Sequence, residues 1–355
     1  MDSSSSCDLL RLTFDEILGT TATTTTALFD FTDPLSPVQL CCLTCLLFSV
    51  LVFVVSELSG NYSQTDKIWS ITPFVYTWIL ICDSRTFLMF ILSAIWGLRL
   101  SWNFFRRGGY TWPPWNGDED YRWMYLMGKV PLRDEDYRFK YLLSVLKNKW
   151  VWMMFNLFFI SIYQNVLLLL VVSPAVVANI VASKCGDSSF YSSSLNMLDL
   201  LGSILFLSFV LIESIADNQQ QRFQNEKHRR IASGETLDGE FLDGFTRSGL
   251  FSIIRKPNYA SEQGLWISFG IFSLASFQSG IARQQHIYNW SHLGWCMYVM
   301  LFCGSGPFTE YISLSKYPRY AEYMTETPLF VPNIFKLLFR KETSNKKKKQ
   351  EKISL

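Results

Sequence analysis

Two short stretches carry side chains able to do chemistry at regular helical spacing. In 213-ESIADNQQQRF-223, Glu213 and Asp217 stand four residues apart, on one face of a helix, followed by three glutamines and Arg222. In 255-RKPNYASEQG-264, Asn258 and Glu262 repeat that spacing, with Tyr259 beside them and Arg255 and Lys256 just before. A third group, Ser305, Glu310, Tyr317, Tyr320 and Tyr323, follows in SGPFTEYISLSKYPRYAEYM. Carboxylates and amides accept from or donate to ribose hydroxyls and a carboxamide, and guanidinium and ammonium groups hold phosphates. The three groups therefore suit a nucleotide. The competing reading is an ion-pair network, in which Arg222, Arg255 and Lys256 neutralise the acids.

The elements that must position these groups are apolar. Of 355 residues, 49% are hydrophobic, 16% aromatic and 17% charged, with mean hydropathy +0.15. A soluble domain carries about a quarter charged residues. Residues 36–57 hold about 20 uncharged positions, enough to cross a bilayer. Similar runs occupy 68–82, 86–104, 150–183, 196–216, 263–282 and 292–308. The chain reads as an all-α polytopic membrane protein with about seven transmembrane helices and a cytosol-facing cavity in its C-terminal half. The run 150–183 is too long for one crossing, and Pro174 is expected to kink or end it. The stretch 175–183 is then interfacial or re-entrant.

Lysine and arginine crowd 105–149, 217–262 and 309–355, which places these segments and the C-terminus in the cytosol and the N-terminus in the lumen. The charge series predicts four regions: a disordered polar N-terminus (1–35), helices 1–3 with a cytosolic loop (36–149), helices 4–7 (150–340) and a basic tail (341–355). Residues 1–35 lack a basic region leading into an apolar core, so no signal peptide is expected. The near-repeats DEDYRWMYL (118–126) and DEDYRFKYL (134–142) read as a solvated charged face between spans, with an amphipathic interfacial helix as the alternative. Cys41, Cys42, Cys45, Cys82, Cys296 and Cys303 lie in or beside apolar runs and read as small hydrophobes, with no disulfide framework.

Several chemistries are excluded by motif. There is no GxGxxG after a strand, no Walker lysine, no HExxH and no GxSxG. Only His228, His286 and His292 are present, too few for a histidine-rich di-iron centre, and no metal or nucleic acid is expected.

ESIADNQQQRF, GLFSIIRKPNYASEQGLW and SGPFTEY…KYPRYAEYMTETPLFVP, in that order, resemble the steroid 5-alpha-reductase-like membrane family, in its DUF1295 branch. The resemblance covers about 60–340 and is most specific over 210–332. It implies NADPH held by the cytosolic ends of the C-terminal helices of a protein in the endoplasmic reticulum membrane. Carried over by position, Glu213, Asp217, Asn258 and Glu262 contact the nucleotide. Tyr259 and Glu310 sit in the same motifs, and Arg222 and Arg255 are phosphate partners on charge alone. The family has Asn at the position of Glu213 and Tyr at that of Glu310. Its catalytic Glu and Tyr have no clean equivalent, and Asp66 and Asn103 stand nearest by position. The implied activity is reduction of a carbon–carbon double bond in a lipid or steroid-like enone. The alternatives are S-adenosylmethionine-dependent methylation of a lipid or prenyl cysteine, because R-x-P-x-Y also resembles an element of membrane methyltransferases, and a non-catalytic membrane scaffold.

Overall fold

The first apolar run becomes helix α2 (Pro37–Ser59), with both ends fixed by its own residues. Ser36 Oγ accepts from Gln39 N–H (3.2 Å) while Gln39 Oε1 accepts from Ser36 N–H (2.9 Å), a reciprocal cap that satisfies two orphan donors. Pro37 opens the helix and Gly60, at φ 69°, closes it. Its inner stripe is small and partly polar: Cys41, Cys45, Ser49 and Ser56. Its outer face shows Leu43, Leu46, Leu47 and Val50 to the surroundings. A soluble helix does the reverse, so α2 is built for lipid.

A computed structural model describes residues 8–19, 34–130, 143–185, 194–277 and 286–333. Among these residues the protein is helical, without strands. Preceding α2 is α1 (Leu9–Leu18). The chain then forms α3 (Gln64–Trp69), α4 (Thr72–Ile79), α5 (Ser84–Arg106) and α6 (Tyr121–Leu126). Next come α7 (Lys149–Val171), α8 (Ser173–Lys184), α9 (Met197–Ala232) and α10 (Gly239–Asp243). The described part closes with α11 (Pro257–Phe269), α12 (Ile271–Ala275), α13 (His292–Lys316) and α14 (Tyr320–Glu326). Four helices, α2, α5, α7 and α9, are long and apolar enough to span a bilayer. At 23 residues, α2, α5 and α7 are each about 35 Å long, sufficient for a hydrocarbon core of about 30 Å.

Two of the remaining apolar runs differ from the expected single spans, whereas 292–308 lies within one helix, α13. Residues 68–82 fold as the short pair α3 and α4, broken around Ser70–Ile71 just ahead of Pro73. The run 263–282 is divided at Gly270 between α11 and α12, and its last residues lie outside the described ones. Pro174 does divide 150–183: α7 stops at Val171 and α8 starts at Ser173 with the proline in its first turn. Within the protein α8 is packed on all sides, with Ser173 through Val181 all buried.

Other expectations also change. Residues 9–18 form a helix inside the stretch expected to be disordered; TATTTTALFD lies outside the described residues, as do the second DEDYR copy and the basic tail. The first DEDYR copy is not a solvated face, since Trp123 and Leu126 are buried and Asp120 N–H donates to Ser63 Oγ at 2.8 Å. Cys185 is disulfide-bonded, while the six cysteines in or beside the apolar runs are free thiols.

By its internal contacts the chain forms two units, Met1–Ser208 with Gln263–Leu301, and Phe209–Glu262 with Phe302–Leu355. Within the first, contacts sort into two ends. One end joins Lys184 to Glu16 (2.9 Å), Ser36 to the Glu16 carbonyl, Asn196 to the Ala275 carbonyl (2.8 Å) and Arg85 to Asp199 (2.8 Å, both fully buried). The other joins Asn156 to Glu57 (2.8 Å), Tyr62 to Trp152, and the 110–120 segment to α3. Consecutive passes α2, α3–α4, α5 and α7 thus alternate in direction.

The middle of α7 (Asn156–Tyr163) is wound as a π-helix. Side chains also bond to its carbonyls. Thr65 Oγ1 donates to the Ile160 carbonyl (2.9 Å) and Asn165 Nδ2 to the Ser161 carbonyl (2.7 Å).

Candidate functional site

All eight residues expected at the nucleotide lie in the second unit. Glu213 and Asp217 share a face of α9 and are 4% and 3% exposed. Asn258 and Glu262 share a face of α11, Asn258 half-buried and Glu262 buried. Three carboxylates withdrawn from solvent in one small unit carry a large solvation cost unless donors meet them, and both glutamate and aspartate of α9 do have electrostatic or hydrogen-bonding partners in the fold.

The backbone around them is tightly set. Leu250 N–H donates to Gln219 Oε1 at 3.0 Å, drawing the 249–254 turn onto α9. Gly249 makes this approach possible: its φ is +60°, and a Cβ there would stand 2.5 Å from the Gln219 amide nitrogen. Pro257 then opens α11, so that Asn258 and Tyr259 fall in its first turn. Tyr259 packs edge-on against Phe302, with centroids 4.9 Å apart, and Lys256 Nζ lies 5.7 Å from its ring.

Arg255 and Glu310 find each other. Arg255 donates from Nε to Glu310 Oε1 and from Nη2 to Oε2 (2.9 Å) in a buried bidentate pair. Its Nη1 donates to the carbonyls of Met324 (2.9 Å) and Thr327, closing the C-terminal end of α14, where the helix dipole favours a cation. Tyr320 OH also reaches Glu310 (3.4 Å). Arg255 is therefore an organiser of the 320–328 segment, and Glu310 is its counter-ion. The backbone continues the join, with Arg255 N–H donating to the Pro328 carbonyl and Lys256 N–H to that of Leu329. Arg222 is exposed on α9.

Asp66 and Asn103 belong to the first unit. Asn103, buried near the end of α5, accepts from Arg106 Nε at 2.9 Å. Asp66 Oδ2 is buried with no hydrogen-bond partner. Burial first, then the Asp120 charge, push its carboxyl up to about 6, against the opposing pull of Arg122, Ser63 and Trp123. Next to it, Lys67 Nζ is buried and donates to Gln64 Oε1 (3.3 Å) and to the carbonyls of Pro114 (3.0 Å) and Asn116. Tyr110 OH returns to the Lys67 carbonyl at 2.7 Å. The 110–120 segment is thus fastened over the helix that carries Asp66.

Sequence reasoning passed over three sets of residues. Arg85 and Asp199 form the buried pair at one end of the first unit. Asp243, with its side chain fully buried, is clamped by Arg247 (2.8 Å) and Arg319 (3.0 Å). Lys67 was not singled out although it adjoins Asp66. For Arg85, Asp199 and Lys67 the available signal was a charge inside or beside an apolar run, but partners such as Asp199 and the Asn116 carbonyl are distant in sequence; for Asp243 it was only the i, i+4 spacing to Arg247. Among the described residues, no group of three His, Cys, Asp or Glu side chains could hold a metal.

A family profile described as a protein of unknown function, DUF1295, matches residues 52–133 and 124–327. The chain belongs to the DUF1295 family. This is a family of steroid 5-alpha-reductase-like proteins, and both clusters, on α9 and on α11, fall inside the longer match. An uncharacterised protein of Schizosaccharomyces pombe is 28% identical over 296 residues, covering 79% of this DUF1295 chain and 75% of the yeast protein. No solved structure matches.

Proposed function

We propose that the protein is a membrane-embedded, NADPH-dependent reductase of a carbon–carbon double bond in a lipid or steroid-like enone. The supporting observation is the pair of i, i+4 sets, Glu213 with Asp217 and Asn258 with Glu262, gathered in one unit with their three carboxylates buried. That donor and acceptor set fits a nicotinamide nucleotide: acids accept from ribose hydroxyls, and an amide complements a carboxamide. Arg255 is committed to Glu310, so Arg222 is the arginine of the motifs left for phosphate. NADPH supplies the hydride. The lipid surroundings deliver the substrate and keep water out.

The proposed setting is seven spans in the endoplasmic reticulum membrane with a cytosolic C-terminus. The alternation of passes in the first unit and the lysine and arginine distribution support it.

The test is thermal unfolding of the purified protein with NADPH or with S-adenosylmethionine. Saturating NADPH at about 100 times its Kd stabilises a protein by about 2.7 kcal/mol, a rise of several degrees. Asp217→Asn should cut that rise by more than half while leaving the unliganded midpoint close to that of the unaltered protein. Protection by S-adenosylmethionine alone moves the assignment to methyl transfer; protection by neither leaves only the scaffold.

A further inference from the structure

Helix α9 runs out in 227-KHRRIASGETLDGE-240, where its last turn carries a compact charge network. Ser233 N–H donates to the Arg229 carbonyl (2.9 Å), so the helical winding reaches Ser233. Gly234, at φ +66°, then turns the chain back, and Glu235 N–H donates to the Arg230 carbonyl (2.9 Å). The reversal returns two acids to two arginines. Glu235 pairs with Arg229 and Asp238 with Arg230, each at 2.7 Å. Glu226, one turn earlier, pairs with both, at 2.9 Å and 2.8 Å. Arg230 also lies over the Phe241 ring of α10, 4.2 Å from its centroid, and so ties α10 to α9.

Ser233 stands where this network meets solvent. It is exposed, and its hydroxyl bonds to nothing among the described residues. Arg229 and Arg230 precede it by four and three residues, the helical spacings that make neighbours on one face. Ser70, the other described serine with a cation three residues before it, is 2% exposed and bonded to Ser101 Oγ at 2.7 Å. A modifying enzyme can reach the first of these two serines and not the second.

We propose that Ser233 is phosphorylated by a serine kinase whose acidic groove takes an arginine three residues before the serine, and that the phosphate unfastens the 234–238 link. Ser233 Oγ attacks the γ-phosphorus of ATP. The new O–P bond forms as the bond from that phosphorus to the β,γ-bridging oxygen breaks, ADP leaves, and the hydroxyl proton passes to the base of the kinase. Exposed ion pairs contribute little, so acids of the kinase can take Arg230 in place of Asp238. Once attached, a phosphate of charge about −1.5 to −2 faces Glu226, Glu235 and Asp238 and competes with them for the two arginines. Glu226 is carried by α9 itself, whereas Glu235 and Asp238 belong to the returning link and are the ones displaced. Negative charge at a helix C-terminus also opposes the helix dipole, which weakens the final turn. In the topology proposed above, residues 217–262 are cytosolic, where ATP and such kinases are found. The site stands without the reductase reading.

The experiment incubates the full-length protein in phosphatidylcholine nanodiscs with magnesium, ATP and calcium/calmodulin-dependent protein kinase II, which selects arginine at the third position before serine. Casein kinase 2, which selects acids after the serine, is the control. Phosphate at Ser233, located by mass spectrometry, should accumulate at least about tenfold faster with the first kinase than with the second. Arg230→Gln should slow that accumulation about tenfold, and Arg229→Gln, one position out of register, by less. Amide hydrogen exchange over residues 234–242 should run at least about threefold faster in the phosphorylated protein, with exchange in α5 and α7 unchanged. No phosphate at Ser233, or a rate indifferent to Arg230→Gln, would overturn the site. Unchanged exchange over 234–242 in the phosphorylated protein would overturn the unfastening.

Discussion

Asp66 shows how little a residue's type says without its surroundings. A carboxylate in solution titrates near 4, but the buried Asp66 facing Asp120 is held up to about 6. A raised carboxyl favours the folded state most when protonated. The stabilisation is complete below about 4, the value in the unfolded chain, and is lost as pH rises through about 6. Asp66→Asn should remove this loss, making the protein more stable above pH 7 by about 2–3 kcal/mol and flattening the dependence between pH 4 and 6, read by urea unfolding across that range. Arg255 and Glu310 behave differently. Removing one member strands a buried charge, so Glu310→Ala should cost about 3–5 kcal/mol, measured as a lowered unfolding midpoint. Arg255→Met combined with Glu310→Leu should recover the part of that loss due to the stranded charge but not the part due to the Met324 and Thr327 carbonyls, which lose their donor.

At the level of elements, the charge pattern of the 110–120 segment marks it as a loop but gives no sign that it is fixed. Lys67 fixes it, through carbonyls of Pro114 and Asn116 that no sequence pattern flags. Lys67→Met should leave those acceptors unmet, at about 1–3 kcal/mol, and release the segment. Limited proteolysis should then cut between residues 110 and 120 at least several times faster than in the unaltered protein, and equal cutting rates would refute the clamp. The split of 68–82 into α3 and α4 is another element-level outcome. The run is apolar throughout, yet Pro73 cannot donate to a continuing ladder, and the break lets Ser70 Oγ meet Ser101 Oγ of α5 at 2.7 Å. Gly97 serves the same contact, since a Cβ there would sit 2.4 Å from the Ser70 carbonyl.

Over the whole molecule, the disulfide at Cys185 bears on orientation. Disulfides persist in oxidising compartments, and Cys185 belongs to the end of the first unit where α1, α8 and the start of α9 meet. That end should therefore face the lumen. In sealed microsomes treated with a membrane-permeant maleimide, Cys185 should react only after reduction. Reaction without a reductant would place this end in the cytosol and reverse the proposed topology.

Composition and hydropathy alone settle that the chain is helical and membrane-embedded, because bilayer thickness and backbone satisfaction leave few other ways to bury such runs. The order of the three polar motifs likewise settles the family, and the i, i+4 spacing settles that Glu213 with Asp217, and Asn258 with Glu262, share helix faces. Tertiary structure alone decides which polar groups are already spoken for. Arg255 lies 55 residues from Glu310, and Arg85 lies 114 from Asp199. Pairing across such distances depends on how helices pack, and local spacing carries no record of it.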